Sequence, residues 1–346
     1  MPSFQARTTI YDVASRAGVA ISTVSRVLNN SSEVADATRT RVLETIEELN
    51  YRPQRTAQDL ARGGGRMLAV AMPSFTSLFF VEILKGVKDV LKDHGSDLML
   101  CNLGSQEPQA TLARFLERGA VAGLIVTSLD PDDEIRRSLV KMQAPVVLIG
   151  ARDEAFDSIW WDDVAGSRRA TEHLISLGHL RIGMIAAHEW SQAHAPRLQG
   201  YREALAASGI EYDESLVVRG DTDKHAGFSE EAGAEAMRKL LDLETPPTAV
   251  FAASDVQAYG AWSHARSQGL EIPRDLSLMG YDDLKLSHFL GLSSIDQHMH
   301  LVGTLAAERL LARMDEVSAP PVDADDRLDT EIETVVIARA STASVA

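Results

Sequence analysis

Residues 8–29, TTIYDVASRAGVAISTVSRVLN, leave this chain few conformational choices. Thr9 can cap a helix, with Asp12 three residues on as its capping-box partner. Val13, Ala14 and Ala17 are apolar at helical spacing. Gly18 supplies the left-handed residue that ends a helix and turns the chain. Ile21, Val24 and Leu28 then form a second apolar stripe at spacings of three and four. Two short helices joined by so tight a turn make a helix-turn-helix. The other face of its second helix carries Ser22, Thr23, Ser25, Arg26 and Asn29. These are short or fork-shaped hydrogen bonders, suited to base edges and phosphates.

The pattern continues. A third helix is expected over residues 36–49, with Val42, Ile46 and Leu49 facing inward. Pro53 breaks it. Residues 54–62 can form about two helical turns, marginal alone in water, and Gly63, Gly64 and Gly65 cannot continue them. Charge divides the chain at this point. Residues 1–66 hold nine Arg, no Lys and seven acids, a net +2, whereas the whole chain carries −16, so the remainder carries −18. A nucleic-acid partner therefore belongs to the first 66 residues, where placement of Arg7, Arg16 and Arg26 counts for more than the small total.

After Arg66 apolar runs alternate with helical stretches. Strands are expected at 68–72, 98–101, 124–127, 146–149, 182–186, 250–253 and 276–281. Helices are expected at 80–94, 111–118, 165–177, 197–208, 255–268 and 301–314. Such alternation means doubly wound parallel sheets covered by helices on both faces, and the length allows two of them. No apolar run approaches a membrane span, and the N-terminus lacks a basic-plus-apolar leader. The single cysteine, Cys101, rules out internal disulfides and multi-cysteine zinc sites. The cytoplasm is the expected compartment. No nucleophile elbow or phosphate loop is present. His298 and His300 are two residues apart, which places them off a common helix face. No catalytic residue, metal or cofactor is expected.

The motifs TIYDVASRAGV, STVSRVLN, TRTRVLETIEELNYRP and AQDLA resemble the DNA-binding headpiece of the LacI/GalR family of bacterial transcription regulators. WDDVAGSRRATEHLISLGHLRIGMIA, RLQGYREAL, TAVFAASDVQAYGAW and IPRDLSLMGYDD resemble the family's core, so the likeness covers nearly the whole chain. It implies an all-α headpiece over 1–52, a hinge helix and Gly linker over 53–65, and an α/β effector-binding and dimerisation core over 66–340. That core would consist of two subdomains of the periplasmic-binding-protein type. The N-subdomain would span about 66–163 plus 293–318, and the C-subdomain about 164–292 plus 319–340. The implied function is a DNA-binding transcription regulator, by default a repressor, whose operator affinity a small ligand controls. The expected partners are a near-palindromic duplex operator, a second copy of the chain and a carbohydrate effector, with no membrane.

By position in the family, Ile21 and Ser22 read bases and Arg26 contacts a guanine edge. Thr9, Tyr11, Thr23, Ser25, Asn29 and Thr38 match phosphate contacts, and Leu60 matches the hinge leucine that wedges into the minor groove. Ala20 stands where the family usually has a capping Ser, and Asp59 places a carboxylate beside Leu60. In the core, Arg197, Asp255 and Asp282 match positions that grip a polyhydroxylated ligand. Asp162, Phe79 and Phe80 also follow strands at their carboxyl ends, where open parallel sheets collect ligands. Thr222 stands where the family often has an aromatic residue, and Trp160, Trp161 or His225 are the candidate replacements. A sugar or sugar derivative is the leading effector class, with a purine or nucleoside as the alternative. A sugar transport receptor shares the core fold but lacks a headpiece.

Overall fold

The structure is a computed structural model, and it describes residues 8–28, 31, 33–49, 51, 67–104, 106–117, 121–142, 144–315 and 327–345. The chain divides between Arg66 and Met67 into two compact units. Asn29, Asp59, Leu60 and the expected hinge helix and glycine linker lie outside the described residues.

The first unit has three helices, α1 (Ile10–Ala17), α2 (Ile21–Leu28) and α3 (Asp36–Glu48). The capping box forms as expected. The Thr9 backbone N–H donates to Asp12 Oδ2 at 2.7 Å, and the Asp12 N–H returns to Thr9 Oγ1. Gly18 ends α1 at φ 64°. Val13, Ala14, Ala17, Val24, Val27 and Val42 make the core. One expectation fails here. Ile21 does not join the inward stripe of α2, because Val27 takes its place beside Val24, with Leu28 half-buried. Ile21 is 41% exposed at the start of the helix.

The second unit holds two parallel sheets. The first contains β1 (Met67–Met72), β2 (Asp97–Asn102), β3 (Gly123–Thr127), β4 (Val146–Ile149), β5 (Asp157–Trp160) and β11 (Asp329–Glu331), in the order β11-β5-β4-β3-β1-β2. Its helices are α4 (Leu78–Leu91), α5 (Pro108–Leu116), α6 (Asp133–Lys141) and α12 (Met299–Asp315). The second sheet contains β6 (Ile182–Ile185), β7 (Val217–Val218), β8 (Ala249–Ala252) and β9 (Ser277–Met279), in the order β7-β6-β8-β9. It carries α7 (Asp163–Ser176), α8 (His194–Ala207), α9 (Glu230–Leu241), α10 (Asp255–Ser267) and α11 (Lys285–Leu290). Buried Val, Ile, Leu, Met and Ala line both faces of each sheet, as parallel strands require.

The two subdomains exchange chain three times. The first passage follows β5. The second lies between β10 (Ser294–Asp296) and α12, which packs against α4. Close approach of these helices depends on Gly86 and Gly303, where a Cβ would collide with the backbone of the facing helix. The third passage lies between β11 and β12 (Val335–Ile337), and β12 pairs antiparallel with β10. It therefore comes after residue 331, not near 319. The acidic stretch from 318 to 331 carries no periodic signal, yet its last residues complete the first sheet. The second passage comes at 297–298, a few residues beyond the expected 292.

One buried ionic knot fastens the first subdomain. Asp157 accepts from Arg309 Nε at 2.8 Å, Arg313 Nε at 2.9 Å and the Leu328 N–H at 2.7 Å. Burial pushes this carboxyl up, but the two guanidinium groups and the amide outweigh that and hold it below its ordinary value.

Candidate functional site

On the first unit, the expected DNA-reading residues among those described range from half-buried to exposed. Tyr11 is 68% exposed, and Ser22 and Arg26 are exposed. Thr23, Ser25 and Thr38 are half-buried. Thr23, Arg26, Thr38 and Arg41 line a shallow groove with Ala20 as part of its floor. Arg26 meets Glu33 only at 3.8 Å, with both side chains largely in water, so the guanidinium fork keeps most of its donors available. Thr9 differs from its neighbours because its hydroxyl is engaged with Asp12.

The second unit gathers its polar groups at the carboxyl ends of β6, β8 and β9. Arg197, one turn into α8, is 4% exposed. Its Nε donates to Asp163 Oδ1 at 3.0 Å, and its Nη1 donates to the Ala253 carbonyl at the end of β8. The guanidinium lies 3.8 Å above the Tyr281 ring, close enough for a cation–π contact. Burial alone would lower its pKa, but Asp163, Tyr281 and Asp282 outweigh it, so the group stays charged.

Asp282 is buried beside this pair. Burial pushes its carboxyl well above the ordinary range, and Arg197 opposes the rise. Its backbone, at φ 115°, is held by an N–H to the Ile295 carbonyl at 2.8 Å. Gln297 Nε2 donates to Asp282 Oδ1 at 2.8 Å, and Gln297 Oε1, also buried, has no partner among the described residues. Such a site suits a ligand hydroxyl, which can donate to one oxygen and accept from another.

Asp255 departs from its expected place. Its carboxylate is 0% exposed and accepts three hydrogen bonds, from the Leu284 N–H at 2.7 Å, Ser287 Oγ at 2.5 Å and Ser294 Oγ at 2.6 Å. It sits behind Gly280, where a Cβ would collide with it. Desolvation raises its pKa to about 7 against the pull of these donors. The carboxylate is thus committed to the frame. It fixes Leu284, which packs with Val256 and Tyr259 against the apolar cluster of the other subdomain.

The remaining candidates divide. Phe79 is half-buried, edge-on to Phe80 at 5.0 Å and to Trp161 at 5.7 Å. Phe80 belongs to the core. Asp162 caps α7 by accepting from the Ala165 N–H at 3.0 Å. Its neighbour Asp163 is the residue that pairs with Arg197. The doublet Asp162–Asp163 was visible in the sequence, but local pattern did not distinguish the cap from the ion pair. Gln297 carried no local signal at all. Among the described residues, no cluster of three metal-ligating side chains exists and no helix is long and apolar enough to cross a membrane.

Comparison with known proteins adds a consistent finding. A family model described as bacterial regulatory proteins, lacI family, matches residues 9–54. A second, described as periplasmic binding proteins and sugar binding domain of LacI family, matches residues 66–339. The HTH-type transcriptional regulator CelR of Thermobifida fusca is 36% identical over 327 residues, covering 91% of this chain and 94% of that protein. Of the solved structures, a transcriptional regulator CelR–cellobiose complex shares a TM-score of 0.67 and 34% identity, covering 97% of this chain and 100% of that chain. The lac repressor dimer bound to operator and the anti-inducer ONPF shares a TM-score of 0.72 and 27% identity, covering 98% and 100%.

Proposed function

This chain belongs to the LacI family of bacterial regulatory proteins, and on that premise we propose that it is a repressor whose grip on a near-palindromic operator is set by a saccharide bound between the core subdomains. The observation that carries the proposal is the buried Arg197, paired with Asp163, with Asp282 and Gln297 beside it. An always-charged fork, a carboxyl and an amide with a spare acceptor match the paired donors and acceptors of a sugar. Phe79, half-buried at the start of α4, supplies apolar surface from the other subdomain.

Two copies act together in this reading. Leu98, Met99 and Leu100 on edge strand β2, and Leu286, Phe289 and Leu290 on α11, are exposed apolar groups that a second copy would cover. Each copy lays α2 in the major groove, with Ile21, Ser22 and Arg26 at base edges and Tyr11, Thr23, Ser25 and Thr38 at phosphates. Ligand binding acts through Gln297, which joins Asp282 to the second passage between subdomains. The sugar stabilises one arrangement of the subdomains, and that bias shifts the equilibrium between tight and weak operator binding. DNA as the partner places this work in the cytoplasm.

The test is binding-site selection followed by mobility shifts at fixed salt. The full-length protein should enrich a palindrome, and a saccharide should change its affinity. Arg26→Ala should lose preference at one base pair per half-site, worth about 1–3 kcal/mol. An unchanged sequence preference would refute the role of Arg26. Selection that enriches nothing would refute operator recognition.

A further inference from the structure

Thr222 leaves the core without the expected aromatic platform, and of the candidate replacements neither tryptophan supplies one. Trp161 is buried against Phe79 and Gly150. Trp160 donates Nε1–H to Asp329 at 2.8 Å, and Arg152 covers its ring at 4.3 Å. His225 sits in a left-handed turn at φ 50°. Of the other two tryptophans, Trp262 packs on an apolar cluster of the C-subdomain, whereas Trp190 is 48% exposed.

Trp190 lies in the loop between β6 and α8, at the carboxyl end of β6 and ahead of Arg197. The loop is braced. The His188 N–H donates to the Ala226 carbonyl at 3.0 Å, and the Ser191 N–H donates to the His188 carbonyl at 2.9 Å. The His188 ring lies parallel to the indole, 5.5 Å between centroids and 8° between planes. His188 Nε2–H in turn donates to the Thr222 carbonyl at 2.8 Å. The residue that replaces the expected aromatic thus steadies the one that presents another. Two positions on, Gln192 Nε2 donates to Asp130 Oδ2 at 3.0 Å. Asp130 follows β3 in the other subdomain, so the loop reaches the facing wall of the cleft there.

Resting on the saccharide reading above, we propose that Trp190 is the platform of a second sugar subsite at the mouth of the cleft, taking the outer ring of a disaccharide or longer saccharide. A sugar ring presents polarised C–H bonds to the electron-rich face of an indole. A braced aromatic side chain loses little conformational freedom on binding. Gln192 and Asp130 supply an amide donor and a carboxylate acceptor for the hydroxyls of that ring.

Calorimetric titration of the full-length protein tests this, with glucose, galactose, mannose, cellobiose, maltose, lactose and adenosine as probes. At least one disaccharide should bind more tightly than its component monosaccharides. Trp190→Ala should weaken that disaccharide at least ten times more than it weakens the monosaccharide, and Trp190→Phe should recover part of the loss. The same disaccharide should shift the intrinsic tryptophan fluorescence, and Trp190→Ala should abolish the shift. Equal weakening of both ligands, or of neither, overturns the subsite and leaves the saccharide reading standing. Binding of adenosine with none of the sugars overturns both.

Discussion

Arg26 in the headpiece and Arg197 in the core sit in opposite surroundings. Arg26 is solvated, and its acidic neighbour stands 3.8 Å away. Arg197 is buried, paired at 3.0 Å and stacked on an aromatic ring. On the proposed reading, the difference follows from what each region would meet. A duplex brings its own dense negative charge, so a reader of DNA needs donors left unspent on the surface. A small neutral ligand brings only hydroxyls, so its site needs preset partners in a dry place, where each hydrogen bond counts for more. The first site uses little of the fold's stability. The second is part of it.

The largest expected effect separates the two regions outright. Arg197→Ala leaves the half-buried Asp163 without its cation and empties the space beside Tyr281, and should destabilise the core by about 2–4 kcal/mol. Denaturant unfolding would register the loss, while amide exchange in residues 8–49 should not change. A cost under about 1 kcal/mol would mean that the pair is not integral to the core.

A smaller effect concerns pH. The folded-state pKa of Asp255 is raised to about 7 from 3.8. Folding therefore favours its protonated form, and its contribution is present at low pH and lost as pH rises through about 7. Asp255→Asn imitates the protonated carboxyl. The melting temperature of the wild type should fall relative to this variant as pH rises from 5 to 8. The comparison between the two proteins cancels the opposite trend of His173 and His179, whose pKa values burial lowers. A constant difference across that range would show that Asp255 stays ionised.

The smallest effect lies in the headpiece. A Cβ at Gly18 meets nothing within 4 Å, so Gly18→Ala tests backbone strain alone at φ 64°. It should cost about 1–2 kcal/mol, read as faster amide exchange in α1 and α2 with the core unaffected. Equal exchange in both proteins would mean that the turn tolerates a side chain without strain.

Sequence and structure agree best where interactions are short-range. The Thr9–Asp12 box, the Gly18 turn and the strand–helix alternation each depend on residues within a few positions, so they were legible in order. Three helices of the core, α6, α9 and α11, escaped notice. So did β5, of four residues, and β7, β10, β11 and β12, which are only two or three residues long. Such short strands carry too few side chains for a period of two to show. The buried polar cluster around Arg197 was half legible. Arg197 and Asp282 meet there, but Asp162 serves as a cap, Asp255 as a joint, and Phe80 as core.

By itself the sequence determined the helix-turn-helix, the doubly wound core, the division of charge between them, and the family. Only the tertiary structure decided which donors each carboxylate meets: Asp163 the Arg197 guanidinium, Asp157 those of Arg309 and Arg313, and Asp255 the Leu284 amide with the Ser287 and Ser294 hydroxyls. It also decided that Trp190, alone of the four tryptophans, stands stacked on His188 at a strand end. The physical reason is range. Caps and turns are settled within one helical turn of chain, whereas a buried charge finds its partner only when segments tens of residues apart are packed together.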